Sequence, residues 1–196
     1  MAMTMENKVL GEVFGAHSGA GLRVKQVVMV LAGIAALAIA AKIRVPMWPV
    51  SMTLQTLVVL TIGASFGARL GLVTLLGYVA LGAAGVAVFT GESAGLAYIA
   101  GPTGGYLLGF VAAAALMGAL ARKGWDRSVA GMAGAMVLGN AVIYLFGLAG
   151  MAWLFLADKG AAWVFQYGMG NFLAGDAVKL ALAVMIVPGV WKLVRR

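Results

Sequence analysis

From Gln26 to the C-terminus the chain is a succession of apolar stretches, each near the length of a membrane-crossing helix and each parted from the next by a short turn. That pattern removes most folds from consideration. In hydrocarbon no water satisfies backbone N–H and C=O groups, so a crossing segment must satisfy its own, as a helix does. The sequence is 63% hydrophobic and only 10% charged, a balance that no water-soluble domain of 196 residues can present on its surface. We therefore read an all-α, polytopic membrane protein, with a cytoplasmic tail over residues 1–25 and six transmembrane helices over residues 26–196. The 29 glycines and many alanines suit one compact bundle, because small residues let helix backbones approach in lipid.

Charge and residue inventory narrow the function. The net charge of +8 sits in short clusters between apolar stretches, which fits membrane topology and gives no continuous face for nucleic acid. With no cysteine and with its one histidine, His17, ahead of the first span, the chain lacks the usual parts for a metal centre or a Ser-His nucleophile in the membrane. The reading is of a protein that is not an enzyme and binds no metal.

The first span, roughly residues 26–41, follows Arg23 and Lys25 and ends in Ala38-Ile39-Ala40, which has the look of a signal-peptide cleavage site. The preceding basic region is long for that, and Ala32, Ala36 and Ala40 form a small-residue stripe suited to helix docking, so we read a retained helix. Next, Pro46 and Pro49 flank Trp48 in a stiff loop, with Trp48 either an interfacial belt residue or a gate over a pocket. Thr53, Gln55 and Thr56 lie at the outer end of a short second span, residues 52–66, and need polar partners inside the bundle. Gly67, Arg69 and Gly71 mark a tight turn into a third span that ends near residue 88. The GPTGG sequence at 101–105 is too short for a phosphate-binding loop and lacks its lysine; Pro102 instead reads as the first turn of the fourth helix, with Tyr106 just inside it. The fifth span, 128–150, places Asn140 and Tyr144 on one face, and a connector rich in tryptophan follows.

The sixth span holds two opposite charges where lipid would ordinarily forbid either. Phe172, Asp176 and Lys179 fall at i, i+4 and i+7, so one helix face carries a ring, a carboxylate and an ammonium. Ionisable groups in a span turn inward, pair, and mark a substrate or ion path; the bland alternative is an ion pair that only fixes helix register. With the N-terminus inside, Lys8, Arg23, Lys25, Arg69, Arg122, Lys123, Arg127, Lys192, Arg195 and Arg196 are cytoplasmic, and Lys42, Arg44 and Lys159 are outside. Asp176 then lies about 24 Å along its helix from Lys192, in the outer half of a core of about 30 Å, and Asn140 reaches a similar depth. The polar groups converge on a site open to the outside.

VPMWPVSMTLQTL, GPTGGYLLGF and the late DAVK together resemble the BioY family, the biotin-binding S components of energy-coupling factor (ECF) vitamin transporters, over about residues 26–191. The resemblance implies six helices, both termini cytoplasmic, a pocket near the outer face, and residence in a bacterial cytoplasmic membrane. It also implies as partners biotin, membrane lipid, a coupling membrane subunit and two cytoplasmic ATPases. Ala32, Ala36 and Ala40 would dock on the coupling subunit. No cofactor is expected in this chain, since ATP would be used by the partner ATPases. Carried over to the site, the resemblance gives Asp176 and Lys179 to the substrate and Gln55 to the polar lining, with Trp48 and Tyr106 suited to the thiophane and alkyl chain, and Asn140 and Thr53 alongside. Lys179 would take the valerate carboxylate and Asp176 the ureido N–H groups, or the two would pair in the empty protein and open on binding. Two alternatives stay open: an S component for another vitamin, and a self-contained proton-coupled secondary transporter with Asp176 as carrier.

Overall fold

The computed structural model describes residues 7–194. Five stretches are long and apolar enough to cross a membrane, by length and composition: Gly19–Lys42, Gln55–Ala83, Gly104–Arg122, Val129–Lys159 and Ala161–Val194. A short helix, α1 (Leu10–Val13), leads into the first long one, α2 (Gly19–Lys42). Two short strands, β1 (Arg44–Val45) and β2 (Met52–Thr53), follow and pair antiparallel, Arg44 opposite Thr53 and Val45 opposite Met52. The rest is helical, with α3 (Gln55–Ala83), α4 (Leu96–Ile99), α5 (Gly104–Arg122), α6 (Val129–Lys159), α7 (Ala161–Gly168) and α8 (Leu173–Val194). Short 3-10 turns at Trp125–Arg127 and Gly170–Phe172 join the last elements.

The count of six crossings survives because α3 is a hairpin. Gly67 has φ 80° and ψ 167°, a backbone conformation that side chains with a Cβ rarely adopt, and it breaks the helix there. The two arms fold back on one another. Gln55 Nε2 donates to Tyr78 Oη at 2.8 Å, and a Cβ built on Gly71 would stand 3.4 Å from Gly63 Cα. The second pair is symmetric about residue 67 and the first is within one residue of it, as an antiparallel hairpin requires. Against this hairpin pack α2 on one side and α5 on the other, while α6 lies between α5 and α8.

Several boundaries differ from the sequence reading. Residues 19–25, read as tail, already belong to α2, and Val9 and Leu10 are buried in the core. The N-terminal segment is anchored by charge, with Arg122 Nη2 2.6 Å from Glu12 Oε1 and Arg127 Nη2 donating to Lys8 O at 3.1 Å. Helix α6 runs on to Lys159, because the sequence read as a connector, MAWLFLAD, is still strongly apolar and contains no residue that stops a helix. Gly160 then ends it with φ 79°. Pro102 lies ahead of the N-cap Thr103, in the turn before α5 and not in its first turn. The second span starts at Gln55, three residues later than the expected start at residue 52, because Met52 and Thr53 are used in the ribbon.

One end of the bundle gathers Val9, Gly67, Arg122, Arg127 and Trp191, the cytoplasmic end by the charge count. There Asp126, 1% exposed, accepts from Trp191 Nε1 at 2.5 Å, and the Arg127 guanidinium lies 4.8 Å over the Trp191 ring. The inner end of α8 is thereby locked to the α5–α6 turn.

Candidate functional site

At the opposite end the helices part around a cavity that is open on one side. Its floor and walls come from segments spread between residues 50 and 179: Val50 to Thr53 of the ribbon loop, Gln55 and Thr56 of α3, Tyr106 and Phe110 of α5, Ile143 and Tyr144 of α6, and Phe172, Asp176 and Lys179. No single segment could form it alone. Most of its surface is apolar or aromatic, and hydroxyls, one amide and the charged pair are set into that surface, an arrangement that suits a small organic molecule.

Its charged wall is the first two turns of α8. Asp176 and Lys179 are each 8% exposed, and Lys179 Nζ stands 2.8 Å from Asp176 Oδ1. Burial of a lone charge at this depth would be prohibitive, and the surroundings supply further partners. Thr56 Oγ1 accepts from Lys179 Nζ at 2.9 Å and lies 3.3 Å from Asp176 Oδ1, while Tyr144 Oη donates to Asp176 Oδ2. The carboxylate thus has three donors and the ammonium two acceptors. The pairing that the sequence left open is present in the structure.

A second polar group sits across the cavity. Thr53 Oγ1 donates to Gln55 Oε1 at 3.1 Å, Gln55 Nε2 donates to Tyr78 Oη at 2.8 Å, and Tyr78 Oη donates to Val88 O at 2.9 Å. This relay fixes the amide orientation of Gln55 and ties α3 to the segment after it. Tyr106 is held by donation to Gly168 O at 2.5 Å, with its ring edge-on to Phe172, 6.4 Å between centroids.

Of the residues singled out from sequence, Asp176, Lys179, Gln55, Thr53 and Tyr106 line the cavity together. Trp48 does not. It is 66% exposed and packs edge-on against Trp163 and Phe155, centroids 5.7 and 6.2 Å apart, in a cluster over the outer ends of α6 and α7. Asn140 lies one turn inward of Tyr144, outside the lining, with its buried Oδ1 unpartnered among the described residues. Of the small-residue stripe on α2, Ala32 is exposed, Ala36 half-buried, and Ala40 is 2% exposed and packed within the chain itself. Sequence reasoning missed Thr90, Tyr98 and Thr103 in the lining, and Tyr78, which holds Gln55 from outside it. Single tyrosines and threonines near span ends carry no spacing signal, and only the fold brings them to this end of the bundle.

The chain matches the family model described as the BioY family over residues 8–196. It is 37% identical over 166 residues to a "Probable biotin transporter BioY" of Pyrococcus horikoshii, covering 84% of this chain and 95% of that one. The "Biotin transporter BioY" of Thermotoga maritima is 34% identical over 167 residues, 84% and 96% of the two chains. Among solved structures, the "S-component for biotin from an ECF-type ABC transporter" superposes with a TM-score of 0.73 at 21% identity, over 89% of this chain and 95% of that one, and so shares the fold. The outward cavity with its acid and base on one helix turn therefore stands in a member of the BioY family.

Proposed function

We propose that this chain captures biotin from the outer side of the cytoplasmic membrane and is the substrate-binding subunit of an ECF-type transporter. The observation that carries the reading is the buried Asp176 and Lys179 pair on the wall of an outward cavity whose surface is mostly apolar. Biotin has an anion at one end and a ureido ring at the other, joined by apolar atoms. A carboxylate ligand offers Lys179 a new partner, which frees Asp176 to accept ureido N–H groups while Tyr144 and Thr56 continue to hold it. Gln55 supplies a further amide, and Tyr106, Phe110, Ile143 and Phe172 offer the apolar surface. The chain carries no nucleotide-binding loop, so energy for release comes from a coupling membrane subunit and two ATPases, with ATP bound there and not here. The exposed face of α2, with Ala32 at its centre and Ala36 at its edge, is the surface for that coupling subunit.

Equilibrium binding of labelled biotin to the purified, detergent-solubilised chain tests this directly. Saturable binding that unlabelled biotin displaces, and that Asp176→Asn and Lys179→Ala both weaken, is the expected result. A folded protein that takes up no biotin would overturn the reading.

A further inference from the structure

Lys42 and Arg44 stand on the side of the membrane where basic residues are scarce, and the structure gives Lys42 a task there. Its Nζ donates to Ala87 O at 2.8 Å, to Phe89 O at 3.2 Å and to Gly91 O. An ammonium has three protons, and three backbone carbonyls from alternate residues of one segment receive them. The segment curls round the cation. Gly91 completes the curl with φ +67°, and a Cβ there would meet the Arg44 guanidinium at 3.4 Å. Lys42 itself is largely exposed, so packing does not fix it; the carbonyls do.

The far side of the same segment is equally held. Phe89, 1% exposed, stacks on Tyr98 with centroids 4.7 Å apart and meets Tyr78 edge-on at 5.5 Å, and Tyr78 Oη donates to Val88 O. Thr90 and Tyr98 then line the cavity. Lys42 is also the last residue of α2, directly ahead of the ribbon loop whose Val50 to Thr53 form the adjoining wall. One ammonium therefore joins two walls that are distant in sequence.

We propose that Lys42 is a positioning residue for the ligand site: its ammonium pins the 87–91 segment to the α2–β1 junction, so that the two outer walls of the cavity move as one lid and retain the ligand. The proposal rests on the cavity being the biotin site, and one of its two readouts needs no ligand. Lys42→Met keeps the aliphatic stem and removes every donor, whereas Lys42→Arg keeps donors and charge. In empty protein, amide hydrogen exchange over residues 86–95 should be about tenfold faster in Lys42→Met, with the α5 amides unchanged, given the loss of charge-assisted hydrogen bonds. Labelled biotin should dissociate about tenfold faster from that variant, with association no slower, and Lys42→Arg should recover most of both effects. Unchanged exchange over 86–95 would overturn the proposal, as would exchange that rises equally in α5, which would make Lys42 a general fold residue. Faster exchange without faster biotin loss would overturn the link to retention. A wild-type chain that binds no biotin would sink the biotin reading, while the exchange measurement would still decide the pin.

Discussion

Helix α8 takes part in two clusters of acid and base, one at each end, and they have opposite surroundings. At the outer end Asp176 and Lys179 border the open cavity; at the inner end Asp126 and Arg127 close on the Trp191 ring, with no cavity beside them among the described residues. The chemistry of the two clusters is similar. What differs is whether a ligand can reach it. Asp126 receives an indole N–H and has an arginine beside it, with 1% exposure, so its charges hold helices in register. In the proposed function a ligand carboxylate would replace Asp176 as the partner of Lys179. A buried ion pair by itself is weak evidence for either role. The open volume next to it decides.

Lys179→Ala should cause the largest change at the outer end, a loss of biotin affinity of about 100-fold or more in equilibrium binding, as truncating one partner of a buried charge contact usually does. The protein should stay folded, because Tyr144 and Thr56 still donate to Asp176. Asp126→Ala should do the reverse. Removing the acceptor of Trp191 Nε1 should lower stability in detergent by about 2 to 3 kcal/mol, read by thermal unfolding, while biotin affinity of the folded fraction stays within about twofold. If Asp126→Ala weakened binding as much as Lys179→Ala, the two ends would not be separable. Tyr144→Phe should come next, about tenfold in affinity, since it removes one donor from Asp176 but leaves Thr56 and Lys179 in place. Trp48→Ala should have the smallest effect, within about threefold on affinity by the same binding assay, because Trp48 lies outside the lining and its ring packs on Phe155 and Trp163.

Much of this was legible in the chain. Apolar runs give the crossings, basic clusters their orientation, and two charges inside the last run give the site, because lipid penalises each violation so heavily that few explanations remain. Gly67 with the apolar runs on either side already indicated a turn between two spans, and the hairpin register confirms it. Other features have no such signature. The end of α6 at Lys159 was unreadable because nothing in the preceding residues opposes either a helix or an interfacial connector. Ala40 belongs to the same stripe as Ala32, yet a rotation of about 40° per four residues carries it from the lipid face into the bundle. Lys42 looked like a stray outer charge because its acceptors are backbone carbonyls, which every residue has and no sequence marks.

The most direct test of the central claim, that Lys179 reads the ligand's carboxylate from within the outer cluster, compares biotin with biotin amide on wild-type protein and on Lys179→Ala. Wild type should bind biotin far more tightly than the amide, and the variant should bind the two nearly alike. Equal weakening of both ligands by Lys179→Ala would contradict the claim and return Lys179 to the structural role that Arg127 plays at the other end.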